Sequence, residues 1–401
     1  MKILVITQYF FPENFRINDV CLGLKERGHE VTVLTGKPNY PSGKYFEGYN
    51  WFNKKNEIWN GLEIYRANLF LRGKGGGIKL FLNYFSFAFF ASIKLLFINK
   101  KFDKILIFAP SPITVGIPGV FGKKKFKSKT FLWVHDLWPE SIKIAGGVKS
   151  LWILKLIDKL TRWIYSNTDE LLIQSNGFLS YLNSQGVNSN KIKYYPFYAE
   201  SFYKVLEPEQ EYLEQLPPGF KILFAGNIGE SQSFMTLLAA AKILKNKNLQ
   251  INWIIFGDGR MRKIVEKEIA ISGLQDNFIL KGTMPATEMP KYFSCVNALV
   301  ISLKKSDIFS RTIPSKLQSY FACGKPIIGS LNGVGADIIN ESGSGFVGSA
   351  ESTEELVQAI INLYNTPLSE QKQMGLNARK YFEQEFEREN LLDKLEQILK
   401  G

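Results

Sequence analysis

The feature that most constrains this chain is an alternation of short apolar runs with segments of helical period, and the alternation occurs twice. In the first half the runs are KILVIT (2–7), HEVTVLT (29–35), LEIYRA (62–67), KILIFA (104–109), KTFLWVH (129–135), ELLIQS (170–175) and KIKYYP (191–196). In the second they are KILFAG (221–226), INWIIFG (251–257), FILKG (278–282), NALVISL (297–303) and KPIIGS (325–330). β-Branched and aromatic runs separated by helices specify parallel sheets with helices on their faces. A length of 401 residues allows two domains, each with its own core. The expected class is α/β, with two Rossmann-like domains facing across a cleft. The first would span 1–198 and the second 221–378. Between them, 199–220 reads as a linker from its Pro and acidic content. The tail, 379–401, reads as a C-terminal helix packing toward the first domain.

Charge divides the chain in the same way. Residues 1–200 hold 28 Lys and Arg against 14 Asp and Glu, a balance of +14; residues 201–401 hold 22 against 23, a balance of −1. A basic half suits nucleic acid or an anionic membrane. No helix-turn-helix, zinc-finger or RNP-type spacing is present, and the basic residues interleave with long apolar stretches. The expected partner is therefore a membrane surface and not nucleic acid. IKLFLNYFSFAFFASIKLLFI (78–98) has about the length of a bilayer span but contains Lys79, Asn83 and Lys94. Three readings stay open for it: a helix packed on the sheet, a helix that also dips an aromatic face into the interface, and a true span. FGKKKFKSK (121–129) reads as a lysine-rich loop. VKSLWILKLIDKLTRWIY (148–165) adds Lys149, Lys155, Lys159 and Arg162 beside Trp152 and Trp163. Cys21, Cys295 and Cys323 are too few and unpatterned for a disulfide framework. The opening MKILVITQYF reads as a first buried strand rather than a secretory signal. These features place the protein in the cytoplasm, peripheral on the inner face of the plasma membrane.

Candidate chemistry gathers at strand ends, where open α/β sheets bind ligands. The loop after the first strand lacks GxGxxG, which argues against a dinucleotide; it offers Glu13, Asn14 and Arg16 to a polar acceptor. In WVHDLWPES (133–141), His135 and Asp136 follow a strand and are placed to hydrogen-bond a sugar or take a proton. FAGNIGES (224–231) and FGDGRMRK (256–263) set Gly226, Gly229, Gly257 and Gly259 at strand-to-helix turns, where backbone N–H groups approach a phosphate. DIFSRTIPSKLQSYFACGKPII (307–328) puts Arg311, Ser315 and Lys316 at a helix start, a favourable place for an anion. There is no DxD triplet and no His/Cys/Asp ligand cluster, so no metal is expected.

Taken together, ERGHEVTVLT, the His-Asp pair after a strand, FAGNIG, FGDGR, FILKGTMPATEMPKYFSCVNALVISL, SKLQSYFACGKPII and SGSGFV resemble glycosyltransferase family 4, whose fold is GT-B. Within it, QYFFPENFRINDV, GKPNYPSGKYFEGY, VHDLWPES, GNIG and IPSKLQSYFACGKP look most like the bacterial WbuB-type enzymes. The resemblance implies metal-independent transfer of a sugar, N-acetyl-L-fucosamine from its UDP donor, with retention at the anomeric carbon. It implies an acceptor saccharide on undecaprenyl diphosphate, in O-antigen or capsule assembly. The donor diphosphate would lie against Gly226, Asn227, Gly229, Arg311, Ser315 and Lys316. The nucleotide would lie against Gly257, Gly259, Arg260, Gly282, Thr283, Met284 and Ser319. Catalytic groups would come from His135, Asp136 and Glu13, and acceptor contacts from Asn14 and Arg16.

The resemblance has gaps. Family members carry an Arg just after the first glycine turn and a Lys soon after it; here Asn227 and Gln232 stand there. They also carry a Glu-x7-Glu pair, replaced here by Arg311 and Ser319. The expectation is that Arg311 and Lys316 supply the missing positive charge from a different position. Inversion at the anomeric carbon stays open, and would call for a base among Asp136, His135 and Glu13. Two other functions stay open at this stage. One is a GT-B nucleotide-sugar epimerase; the other is a non-catalytic membrane assembly subunit that kept the fold.

Overall fold

The computed structural model describes residues 1–73, 77–144 and 150–401; Lys149 lies outside them. Two compact units divide the chain: Met1–Tyr195 together with Leu392–Gly401, and Pro196–Leu391. The segment 199–220, read as a linker, belongs to the second unit. It carries the short helix Gln210–Glu214, whose Tyr212 is buried and donates to Glu288 at 2.9 Å.

The first unit is an eight-stranded sheet in the order β3-β4-β2-β1-β5-β6-β7-β8. The strands are β1 Lys2–Thr7, β2 Glu30–Gly36, β3 Asn56–Trp59, β4 Leu62–Ala67, β5 Lys104–Ala109, β6 Lys129–Val134, β7 Glu170–Ile173 and β8 Ile192–Tyr194. Pairing is parallel throughout except for the β3–β4 hairpin. β1 and β5 are apolar on both faces because helices cover both, as expected of a parallel sheet. β3 had no apolar signal to read: it is an edge strand whose residues are exposed or half-buried. The helices are α1 Arg16–Glu26, α2 Gly77–Leu96, α3 Gly116–Phe126, α4 Glu140–Ile144 and α5 Leu151–Asn167. α3 sits close on the sheet because it carries Gly119 there. A Cβ at Gly119 would lie 2.2 Å from the Ile107 side chain. The last segment of the chain returns to this unit. Leu392, Leu395 and Leu399 are buried, Asp393 pairs with Arg27 at 3.0 Å, and Glu396 pairs with His29 at 3.3 Å.

α2 is long and apolar enough to cross a membrane. Its stripe Asn83, Phe87, Ala91 and Leu95 is nevertheless buried at a spacing of four, against the sheet and α3. The opposite face exposes Phe81, Phe89 and Leu96. The lysine-rich segment is not a loop. Residues through Phe126 finish α3, and Lys129 opens β6. Three of its lysines have internal partners: Lys123 binds Asp169, Lys129 binds Glu170, and Lys125 caps α2 through the carbonyls of Leu95, Leu96 and Ile98. Cations in a last helical turn complement the helix dipole, so much of this cluster serves the fold.

The second unit is a wholly parallel sheet in the order β11-β10-β9-β12-β13-β14. Its strands are β9 Phe220–Ala225, β10 Ile251–Phe256, β11 Phe278–Gly282, β12 Ala298–Ser302, β13 Ile327–Ser330 and β14 Gly345–Gly348. β14 is short and begins and ends in glycine, so it carries too little apolar pattern to stand out in the sequence. In both sheets the strand order reverses beside the first strand, between β1 and β5 and between β9 and β12. Such a reversal opens a crevice at the carboxyl ends of the strands.

Candidate active site

In the second unit the loops after β9, β10 and β11 are laced together by backbone bonds. Gly226 N–H donates to Phe256 O at 2.9 Å, Ile228 N–H to Asp258 O at 2.8 Å, and Gly257 N–H to Gly282 O at 2.7 Å. Gly257 has φ +137°, and a Cβ there would lie 1.8 Å from the Gly226 oxygen. Glycine is required for this close approach. It corrects the expected role of the turn: the N–H groups of Gly226 and Gly257 are committed to neighbouring loops instead of pointing at a phosphate. Asn227 folds back over the turn. Its amide would meet a Cβ placed on Gly229 or Gly259, at 2.4 and 2.6 Å.

The distinctive group lies at the β9/β12 reversal. Helix Ser315–Ala322 begins there, after Pro314 in extended conformation. A cavity of about 130 Å³ is lined by Gln232, Leu303, Phe309, Thr312, Ser315 and Lys316, among others. Lys316 stretches past Gly226, lies 4.7 Å from the Phe224 ring centroid and donates to Gln232 Oε1 at 2.6 Å. Burial lowers its pKa from 10.5 to about 8. No carboxylate among the described residues pairs with it. Tyr320, one helical turn on, receives the Ala225 N–H at 2.9 Å and ties this helix to β9. Arg311 does not share the cavity wall. It closes the short helix Asp307–Arg311, and the chain turns into extended backbone at Thr312. Of the two cations expected at the diphosphate, Lys316 is the one at the cavity. Arg260, Thr283 and Met284 are exposed, and Ser319 is half-buried in the middle of the helix.

In the first unit Glu13 is fully engaged. Its Oε1 accepts from the backbone N–H groups of Asn39 and Tyr40 at 2.8 and 2.7 Å, and Oε2 from that of Phe10 at 3.2 Å. Burial raises its carboxyl to about 7 against the pull of these amides. That geometry makes Glu13 the anchor of the loop after β2, in place of the expected proton acceptor. His135 is buried with its ring 4.6 Å from those of both Phe108 and Trp133. Burial and the nearby charge of Arg16 hold its pKa well below 6.5, so it is neutral at physiological pH. Asn14 is exposed.

Asp136 differs from its neighbour. It lines a cavity of about 260 Å³ with Tyr84, Ser111 and Thr114, at the carboxyl ends of β5 and β6. Burial raises its pKa to about 6, while a hydrogen bond with Ser111 opposes the rise. Ser111 also bonds Tyr84, which bonds Tyr9, and Arg72 donates to Tyr9 at 3.3 Å. Sequence reasoning missed Ser111, Tyr84, Tyr9 and Arg72. The available signal was position: APSP (109–112) follows β5 as the His-Asp pair follows β6. Among the described residues, no group of three or more His, Cys, Asp or Glu is placed to hold a metal.

Residues 211–381 match the family model of group 1 glycosyl transferases. The chain is a glycosyltransferase, and its second unit is similar to the group 1 glycosyl transferases. Over its whole length this glycosyltransferase is 26% identical to WcaI of Escherichia coli (strain K12), a protein named for glycosyl transfer in colanic acid biosynthesis; the alignment covers all of both chains. Its fold is GT-B. The sucrose-phosphate synthase of Thermosynechococcus elongatus superposes with a TM-score of 0.77 over 100% of this chain and 98% of that one, at 16% identity. HepE of Anabaena, solved in complex with UDP, superposes with a TM-score of 0.71 over 100% of both chains, at 12% identity.

Proposed function

We propose that the enzyme moves a sugar from a UDP-linked donor, held by its second unit, to a saccharide on undecaprenyl diphosphate during assembly of a bacterial surface polysaccharide. The observation that carries this reading is Lys316, a half-buried cation beside a cavity, paired with no carboxylate among the described residues. Burying a charge even in part without a counter-charge is costly, and a donor diphosphate would supply one. Lys316 and the first N–H groups of helix Ser315–Ala322 would then stabilise the charge that develops on the departing diphosphate. This arrangement works without a metal ion. On the acceptor side Asp136, ionised above about pH 6, accepts a hydrogen bond from a hydroxyl of the acceptor sugar beside the attacking one and so positions it. With retention, the departing phosphate takes the hydroxyl proton.

The polysaccharide reading draws on the name of WcaI, and the UDP reading on the ligand of HepE. N-acetyl-L-fucosamine is the donor sugar that the motif resemblance implies. Exposed Phe89, Leu96, Phe97 and Trp163, with Lys124 and Lys155 near them in the chain, suit a peripheral position on the cytoplasmic face of the plasma membrane. The test is nucleotide release from a panel of UDP-, GDP- and dTDP-sugars, with and without a lipid-linked saccharide, in EDTA. Acceptor-dependent release of UDP that survives EDTA is expected. Release from GDP- or dTDP-sugars alone would reject the reading.

A further inference from the structure

We propose that a trench between α2 and α5 binds the prenyl chain of the acceptor lipid, as a site distinct from the surface that touches the bilayer. The inference rests on the lipid-linked acceptor proposed above. Phe81 and Phe85 of α2 face Ile153, Leu156 and Leu160 of α5 across a groove of about 780 Å³. Among the described residues its side-chain lining is apolar apart from Ser150. The volume is that of sites that bury small molecules, and exceeds the shallow relief of an ordinary protein face.

Continuity selects the occupant. Phe81, Phe85, Ile153, Ile157 and Leu160 line this trench and also the cavity that ends at Tyr84, Ser111 and Asp136. The two spaces therefore adjoin along these side chains, from a trench apolar but for Ser150 to the carboxylate assigned to the acceptor. An amphiphile with a long apolar chain and a polar, hydroxyl-bearing end matches that order of surfaces. A second groove, on the other side of α2, has no such end: Phe89, Leu96 and Phe121 lead there to Lys124 and Lys125. Its exposed side chains, with Phe97 beyond them, suit contact with the bilayer itself. The two grooves thus divide the labour between one lipid molecule and the membrane that holds it.

Leu156→Trp fills the trench while keeping its surface apolar; Phe97→Glu alters the exposed face outside it. Transfer is measured in detergent to one saccharide carried either on an undecaprenyl or on a short alkyl diphosphate. Leu156→Trp is expected to raise the ratio of the long-chain to the short-chain KM at least about tenfold, while co-sedimentation with anionic vesicles persists. Phe97→Glu is expected to weaken co-sedimentation and leave the ratio as it was. An unchanged ratio in Leu156→Trp would overturn the trench. If the wild-type enzyme uses both acceptors equally well, the trench falls and lipid-linked transfer stands; if it uses neither, both fall. A binding readout needs no turnover: a nitroxide-bearing prenyl phosphate should quench Trp152, and the quench should fall in Trp152→Phe, leaving the part due to Trp138 in the adjoining cavity. Equal quenching in the two proteins would also count against the trench.

Discussion

The two units share one architecture and put opposite chemistry at the same place in it. Each is a largely parallel sheet whose strand order reverses beside its first strand, and each carries a cavity at carboxyl ends of its strands. In the second unit the cavity is lined by a half-buried cation, Lys316, at a helix start. In the first it holds a carboxylate, Asp136, among hydroxyl groups, with a neutral His135 beside it. Burial acts on both and pushes both toward neutrality. Under the proposed function the difference in sign separates a site for the donor's anion from one for the acceptor's hydroxyls. The units differ again at their surfaces, since the exposed aromatic face belongs to the first.

The comparison breaks most easily at Lys316. Lys316→Ala should lower kcat/KM by roughly 10²–10³, the usual cost of one group that stabilises developing negative charge; acceptor KM should hold. A fall in acceptor binding instead would mean that the two chemistries are not divided as described. Next in size is Glu13→Ala, which strands three backbone N–H groups. It should cost about 2–3 kcal/mol of stability in urea unfolding, with UDP affinity of the folded protein intact. Asp136→Asn should reduce kcat/KM about 10–100-fold and leave UDP binding alone. Wild-type activity should also fall below about pH 6 as Asp136 takes up a proton, and Asp136→Asn should flatten that limb.

The smallest effect concerns the ionisation of Lys316. In the free enzyme it loses its proton near pH 8, and a bound diphosphate favours the charged form and raises its pKa. UDP affinity should therefore be level below pH 8 and weaken above it, by up to about tenfold per pH unit. Lys316→Arg should remove the slope.

The same comparison shows what the sequence could reveal. Buried parallel strands were legible because both of their faces are apolar, as in KILVIT and INWIIF. β3 and β14 were not, since an exposed edge and a glycine-bounded tetrapeptide have no such run. Lys316 stood out by its place after Pro314 at a helix start. Its near neighbour Arg311 looked equivalent in the sequence, and only the turn at Thr312 separates them. Gly226 and Gly257 were legible as turn glycines, but where their N–H groups point depends on neighbouring loops far away in the chain. Glu13 looked reactive as a carboxylate after the first strand. Its partners Asn39 and Tyr40 come from the loop after β2, a distance no local pattern spans. Tyr84, Ser111 and Asp136 meet only because α2, β5 and β6 bring three separate segments to one crevice.

The most direct test of the central claim is a calorimetric titration with UDP of the wild-type enzyme, Lys316→Ala and Asp136→Asn. The account predicts at least about tenfold weaker binding in Lys316→Ala, from the loss of a charge-assisted contact, and wild-type affinity in Asp136→Asn. Equal affinity in all three, or a loss confined to Asp136→Asn, would contradict it.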